Sequence, residues 1–378
     1  MGAWVDRLRN SEDLYWAWMA ETPHMTPGRM ARLIRHFGEP QDIFGRSKKE
    51  TLPPLEGVPD ELRASLRTRA REELLDRMAG RFEKLGVFPV CLNNAAYPEL
   101  LIEIAAPPLV LYCRGKGSLD ALQKKSIAIV GSRKATEYAQ HTTRRIAREL
   151  AQSGVTIVSG MALGVDAAAH WGALEGGAGQ PLATVAVLAG GVDCIYPACH
   201  SELYRRILEN GLAISEHPIG MRPAGYHFPL RNRIIAGLSM GTLVAEAAEK
   251  SGTKHTVNYA LESGRDVFAL PGRAQDPACM GSNALLRQGA RLVTSAKEIL
   301  EEYPWWKAEQ PRSPLRIEPL SAEEEQLCAL LKLRDHTADE LFEATQIPMG
   351  HLLSLLTKLS EKGIIERKSY MCFHYILN

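Results

Sequence analysis

Residues 222–233, RPAGYHFPLRNR, hold Arg222, Arg231 and Arg233 with no acid among them, a local charge of +3, and set Tyr226, His227 and Phe228 in between. Guanidinium forks bind phosphate oxygens in bidentate fashion, and exposed rings offer stacking faces to unpaired bases. The combination suits single-stranded nucleic acid better than a duplex or a free mononucleotide. In this reading the apolar IIAGLS that follows anchors a basic loop. The competing arrangement puts Phe228 in the core and bridges the arginines to acids such as Glu216 or Glu246. A second cationic stretch, GSRK at 131–134, opens a segment (131–148) in which Arg133, Lys134, Arg144, Arg145 and Arg148 face only Glu137, an excess of +4. Here the N–H groups of Gly131 and Ser132 and the Arg133 side chain stand where a helix N-terminus favours phosphate. The alternative is a tight strand-to-helix turn with a solvated arginine.

Three further loops offer small residues ahead of helices. SGMALGVDAAAH (159–170) gives close backbone approach at Gly160, an Asp166 suited to capping or bracing the loop, and a His170 able to bond to it as a structural pair. SGTKHT supplies Ser251, Gly252, Thr253 and Lys254, and GSNALL supplies Gly281, Ser282 and Asn283. Each can present donors to a backbone phosphate or simply cap its helix. Enzyme signatures are missing: no HExxH or GxGxxG occurs, Ser132 has no evident base, and only Glu216 and Glu246 stand as acids at strand ends. No metal and no cofactor is expected.

The elements that must position these residues fall into zones. Residues 1–80 read as short amphipathic helices of a SAM-like or helix-hairpin-helix kind. TPGRMARLIRHFG shows the pattern: Thr26 as N-cap, Pro27 at the first helical position, apolar Met30, Leu33, Ile34 and Phe37, then Gly38. A lead-in follows at 81–126. From 127 to 303 apolar strands such as IAIVGS, VTIVSG and ATVAVLAGG alternate with helical stretches, which predicts a doubly wound, Rossmann-like α/β domain with a mostly parallel sheet. Its ligands are expected at the carboxyl ends of the strands. Residues 304–320, PWWKAEQPRSPLRIEPL, read as a Pro-rich linker, and 321–378 as a winged helix. The candidate recognition helix of that last zone carries only His351, Lys358 and Lys362, which favours protein contact over duplex reading.

With 45 Lys plus Arg against 44 Asp plus Glu the chain has a formal charge of +1, so any polyanion binding must be local. No window is apolar enough for a spanning helix, and the first 21 residues lack the layout of an export signal, which points to the cytoplasm. Seven dispersed cysteines without a C-x-x-C pair argue against a disulfide framework and a zinc site.

IVGSRKAT, TIVSGMALGVDAAAHWGAL, AVLAGGVDCIYPACHSELYRRI, SEHPIG, FPLRNRIIAGLS, GRDVFALPG and GSNALLRQGA occur in the order seen in the DNA-processing protein A family (DprA, also called Smf), which the whole central zone resembles. The resemblance implies a non-enzymatic homodimer that binds and protects single-stranded DNA and loads the RecA recombinase onto it during natural transformation. It carries the DNA pocket over to Ser132, Arg133, Phe228, Arg231, Asn232 and Arg233. On that basis, replacing Arg133 and Arg231 together is expected to abolish binding and spare the fold. Two positions depart from the family: SGTKHTV differs from the usual pattern, and Gly225 stands where some members have lysine. The alternative of another class is a nucleotide-processing enzyme like the LOG phosphoribohydrolases, with Glu246 as its acid.

Overall fold

The computed structural model describes residues 11–122, 125–304, 321–361, 364–369 and 372–375. The expected linker falls almost wholly outside them, as does Lys362. The chain forms two compact units divided after Pro304.

The described part of the first unit opens with five helices, α1 (Glu12–Ala20), α2 (Pro27–Phe37), α3 (Pro40–Lys48), α4 (Asp60–Arg69) and α5 (Glu72–Leu85). Local chemistry sets their ends. Thr26 accepts the Arg29 N–H, Pro27 sits where no intrahelical N–H bond is required, and Gly38 ends α2 at a φ of 94°. The boundary expected at residue 80 falls inside α5. These helices share one core with β1 (Val87–Cys91) and β2 (Val110–Gly115), where Trp18 and Phe82 pack in the same cluster as Val87 and Tyr112. The lead-in is therefore part of the sheet; it also contributes α6 (Glu99–Ile102).

The strands β3 (Ser126–Val130), β4 (Thr156–Ser159), β5 (Thr184–Val187), β6 (Gly211–Ser215), β7 (Gly241–Val244), β8 (Asp266–Ala269) and β9 (Arg291–Leu292) complete a nine-stranded sheet of order β1-β2-β6-β5-β4-β3-β7-β8-β9. Pairing is parallel from β6 to β9 and antiparallel at β1–β2 and β2–β6. Every residue of β3 to β7 is buried, as helices on both faces require. Those helices are α7 (Glu137–Gln152), α8 (Val165–Gly176), α9 (Ser201–Asn210), α10 (His227–Gly237), α11 (Thr253–Glu262), α12 (Met280–Arg287) and α13 (Ala296–Glu301). The strand order reverses at β3, which pairs with β4 on one side and β7 on the other. A crevice must open beyond the carboxyl ends of β3 and β7.

The second unit has α14 (Ala322–Leu333), β10 (His336–Thr337), α15 (Ala338–Thr345), α16 (Met349–Glu361), β11 (Ile365–Ser369) and β12 (Cys372–Tyr375), the strands forming an antiparallel sheet of order β10-β12-β11. Capping boxes at Ser321/Glu324 and Thr337/Glu340 start α14 and α15, and Leu327, Leu341, Leu352, Leu356 and Phe373 form its core. Among the described residues no helix is long and apolar enough to cross a membrane, and no group of three potential metal ligands gathers. Cys91, Cys113, Cys279 and Cys328 are buried, while Cys199 is exposed.

Candidate nucleic-acid interface

A cavity of about 810 Å³ occupies the crevice at the reversal point. The β3–α7 loop brings Ser132 and Arg133 to it, the β5–α9 loop brings Tyr196, α10 brings Phe228 and Asn232, and the start of α11 brings Ser251, Gly252 and Thr253.

The β3–α7 loop is held tightly. A Cβ on Gly131 would lie 2.6 Å from Val165 Cγ2 and 2.8 Å from the Glu246 carbonyl oxygen, so only glycine fits. The Ser132 N–H donates to Glu246 O at 2.7 Å, its carbonyl accepts from the Val165 N–H at 3.2 Å, and its Oγ accepts from the Lys134 N–H at 3.1 Å. Arg133 stays exposed and has no ion-pair partner among the described residues. Its Cζ lies 5.3 Å from the Phe228 ring centroid, a cation–π contact. At the start of α7 a carboxylate of the fold takes up the donors of Thr136. The Glu246 carboxylate accepts from the Thr136 N–H at 3.1 Å and from the Thr136 hydroxyl at 2.6 Å. Glu246 braces a loop and is not free to act as the acid of a phosphoribohydrolase.

The FPLRNR stretch is not a loop; it is the first half of α10. Pro229 falls in the first turn, where its missing N–H costs nothing. Helical periodicity then turns Arg231 inward with Ile234 and Ile235, while Phe228 and Asn232, one turn apart, line the cavity. Arg231 is 4% exposed at the cavity wall. Its guanidinium donates to Gly160 O at 2.9 Å and to Val187 O, and its Nε to Asn232 Oδ1 at 3.2 Å. Burial lowers its pKa to about 10, so it still carries its charge at neutral pH. Arg233 forms a fork-to-fork pair with Glu216, both contacts at 2.6 Å, and its Nε donates to Ala106 O at 3.0 Å. Of the three arginines expected to grip phosphate, Arg231 and Arg233 are bonded within the fold and Arg133 is open.

The remaining expected contacts divide. Ser251 and Thr253 pair through their hydroxyls at 2.7 Å on the cavity rim. Lys254 lies outside this cavity, on two smaller ones of about 130 and 420 Å³. Gly281, Ser282 and Asn283 are bonded within the fold. The N–H groups of Gly281 and Ser282 both donate to Ala247 O, at 2.7 and 3.1 Å, and the Asn283 side chain bonds to the N–H and carbonyl of Gly272. Asp166 accepts from the Ala162 N–H at 3.2 Å, whereas His170 bonds to Thr184 Oγ1 at 2.8 Å and not to Asp166 as expected. Burial raises the pKa of Asp166, with Arg231 pulling it back.

Tyr196 was not singled out from the sequence. It is 52% exposed, and its ring lies 5.4 Å from that of Phe228, inclined at 57°. The signal available was an aromatic in the loop that leaves a central strand, IYPACH. Arg222 and Tyr226 are exposed just ahead of α10.

The family model described as DNA recombination-mediator protein A matches residues 89–304. The DNA processing protein DprA of Bacillus subtilis is 38% identical over 230 residues, covering 61% of this chain and 76% of that protein. A putative DNA processing protein DprA of Mycobacterium tuberculosis is 38% identical over 369 residues, 93% of this chain and 91% of that protein. The X-ray structure of DprA from Streptococcus pneumoniae superposes with a TM-score of 0.62 at 33% identity, covering 76% of this chain and 97% of that one. A Helicobacter pylori DNA processing protein A structure, described for its single-stranded DNA binding mode, gives a TM-score of 0.51 at 30% identity over 57% of this chain and 96% of that one. The chain belongs to the DNA recombination-mediator protein A family, a family of DNA-binding mediators of recombination and not of enzymes.

Proposed function

We propose that the cavity at the reversal point binds single-stranded DNA. In this reading Arg133 takes a backbone phosphate, Phe228 and Tyr196 receive unstacked bases, and Ser132 and Asn232 hydrogen-bond to the strand beside them. Ser251, Gly252 and Thr253 form the opposite rim. One observation carries the reading: an exposed guanidinium without an acidic partner among the described residues lies 5.3 Å from an accessible ring at the mouth of a cavity of about 810 Å³. Such a pairing of a cation with stacking faces suits an unpaired strand, whose bases are free to leave the stack.

Membership of the family supports a wider role in this reading. The protein acts in the cytoplasm as a homodimer that protects incoming single strands and loads RecA onto them during natural transformation. The helices at the start of the chain are read as a SAM-like module and the second unit as a winged helix. Acidic side chains outnumber basic ones across 321–378, and His351 on α16 is engaged with Glu323 at 2.9 Å, which favours a protein partner for this unit over a duplex.

The test compares labelled single-stranded and duplex DNA on the full chain and on Arg133→Ala. The wild type should prefer the single strand, and R133A should lose about tenfold or more in affinity, the size of a charge-assisted hydrogen bond. R133A should also fail to speed RecA assembly on protein-coated single strands. Unchanged affinity of R133A at low salt would refute the assignment.

A further inference from the structure

The carboxylate of Glu246 is 2% exposed at the end of β7 and forms no ion pair among the described residues. A buried carboxylate without a cation persists only when hydrogen bonds replace its water. Those bonds all come from Thr136, at 3.1 Å and 3.4 Å from its N–H and 2.6 Å from its hydroxyl. The backbone carbonyl of the same residue accepts the Ser132 N–H at 2.7 Å. One residue thus holds both ends of the 132–136 segment, and the two exposed cations, Arg133 and Lys134, project from between the fixed points. The cation–π contact of Arg133 with Phe228 depends on where that segment lies.

We propose that Glu246 is a positioning residue for strand binding. It touches no nucleotide; it fixes the β3–α7 loop so that the Arg133 guanidinium is presented over Phe228. By occupying the donors of Thr136 it also withdraws them from strand phosphates, which leaves the guanidinium as a cationic partner on this loop. This rests on the single-stranded DNA reading of the cavity.

The experiment is a double-mutant cycle on the full chain, with a labelled oligothymidylate titrated across a salt series. Four proteins are compared with the wild type: Glu246→Ala, Glu246→Gln, Arg133→Ala and the double variant R133A/E246A. E246A should weaken binding by about tenfold and make the salt slope shallower by the same about 0.7 as R133A does, one single-strand phosphate contact. In the R133A background E246A should have almost no further effect, because contacts that act as a unit are not additive. E246Q, which keeps one acceptor for Thr136, should fall between wild type and E246A. If E246A does not fold, the cycle is run with E246Q and the double variant R133A/E246Q, which reads the same coupling. An equal loss with and without Arg133, or wild-type binding by E246A and E246Q, overturns the positioning role while leaving the cavity assignment standing. Wild-type binding by R133A removes the cavity assignment and the positioning role with it.

Discussion

At the scale of single residues, Arg133, Arg231 and Arg233 are chemically identical and do three different things. Arg133 faces solvent over a ring, Arg231 ties β5 and the loop after β4 to α10, and Arg233 closes a carboxylate pair. Sequence alone specifies the charge and not the partner, because the partners lie 71 and 17 residues away in the chain. Arg231→Ala should therefore act on stability first. It leaves the buried carbonyls of Gly160 and Val187 without a donor and Asp166 without its nearby positive charge, a loss of about 3 kcal/mol. Thermal melting should fall by several degrees, and Arg231→Lys should not restore it, since a single ammonium cannot span both carbonyls and Asn232. A melting temperature equal to wild type, combined with lost DNA binding, would return Arg231 to direct phosphate contact.

At the scale of elements, strands and their exits were legible because buried parallel strands are short apolar runs and glycine follows them. α10 was not legible: an arginine takes a core position and a leucine faces water, so no apolar stripe marks the helix. The β1–β2 extension was also hidden, since antiparallel strands of five and six residues look like any apolar segment. α8 illustrates a second limit, the choice of partner for His170. Thr184 Oγ1 donates to Ile157 O at 2.7 Å and so accepts from His170 Nδ1, which carries the proton of a neutral ring. Burial pushes the His170 pKa down to about 3 from an unfolded value near 6.5. The folded value lies below the unfolded one, so this residue's contribution is complete above pH 6.5 and is lost as pH falls toward 3. The slope is about 1.4 kcal/mol per pH unit. Urea unfolding at pH 6.5 and at pH 5 should show the wild type losing about 2 kcal/mol more than His170→Asn over that interval. Equal losses would mean that the ring takes up its proton inside the fold.

At the scale of the whole molecule, a formal charge of +1 means that no general field gathers DNA. What remains is the local set at the cavity mouth, Arg133 and Lys134, with Arg222 just ahead of α10; each is exposed and without an ion-pair partner among the described residues. Two of the three arginines of α7 do not add to it freely, because Arg144 is held by Glu175, and Arg145 by Glu149 and the Thr294 carbonyl. The excess of +4 read from 131–148 therefore overstates the charge available to a strand. Counterion release turns this into a measurable quantity, since each single-strand phosphate neutralised contributes about −0.7 to the slope of log K against log salt. One to three phosphates per protomer predict a slope between about −0.7 and −2. A titration of oligothymidylate over a salt series measures it, and R133A should bring the slope about 0.7 closer to zero. A wild-type slope steeper than about −4 would require a basic track longer than this cavity mouth supplies, with Lys254 and the smaller cavities beside it as the first place to look.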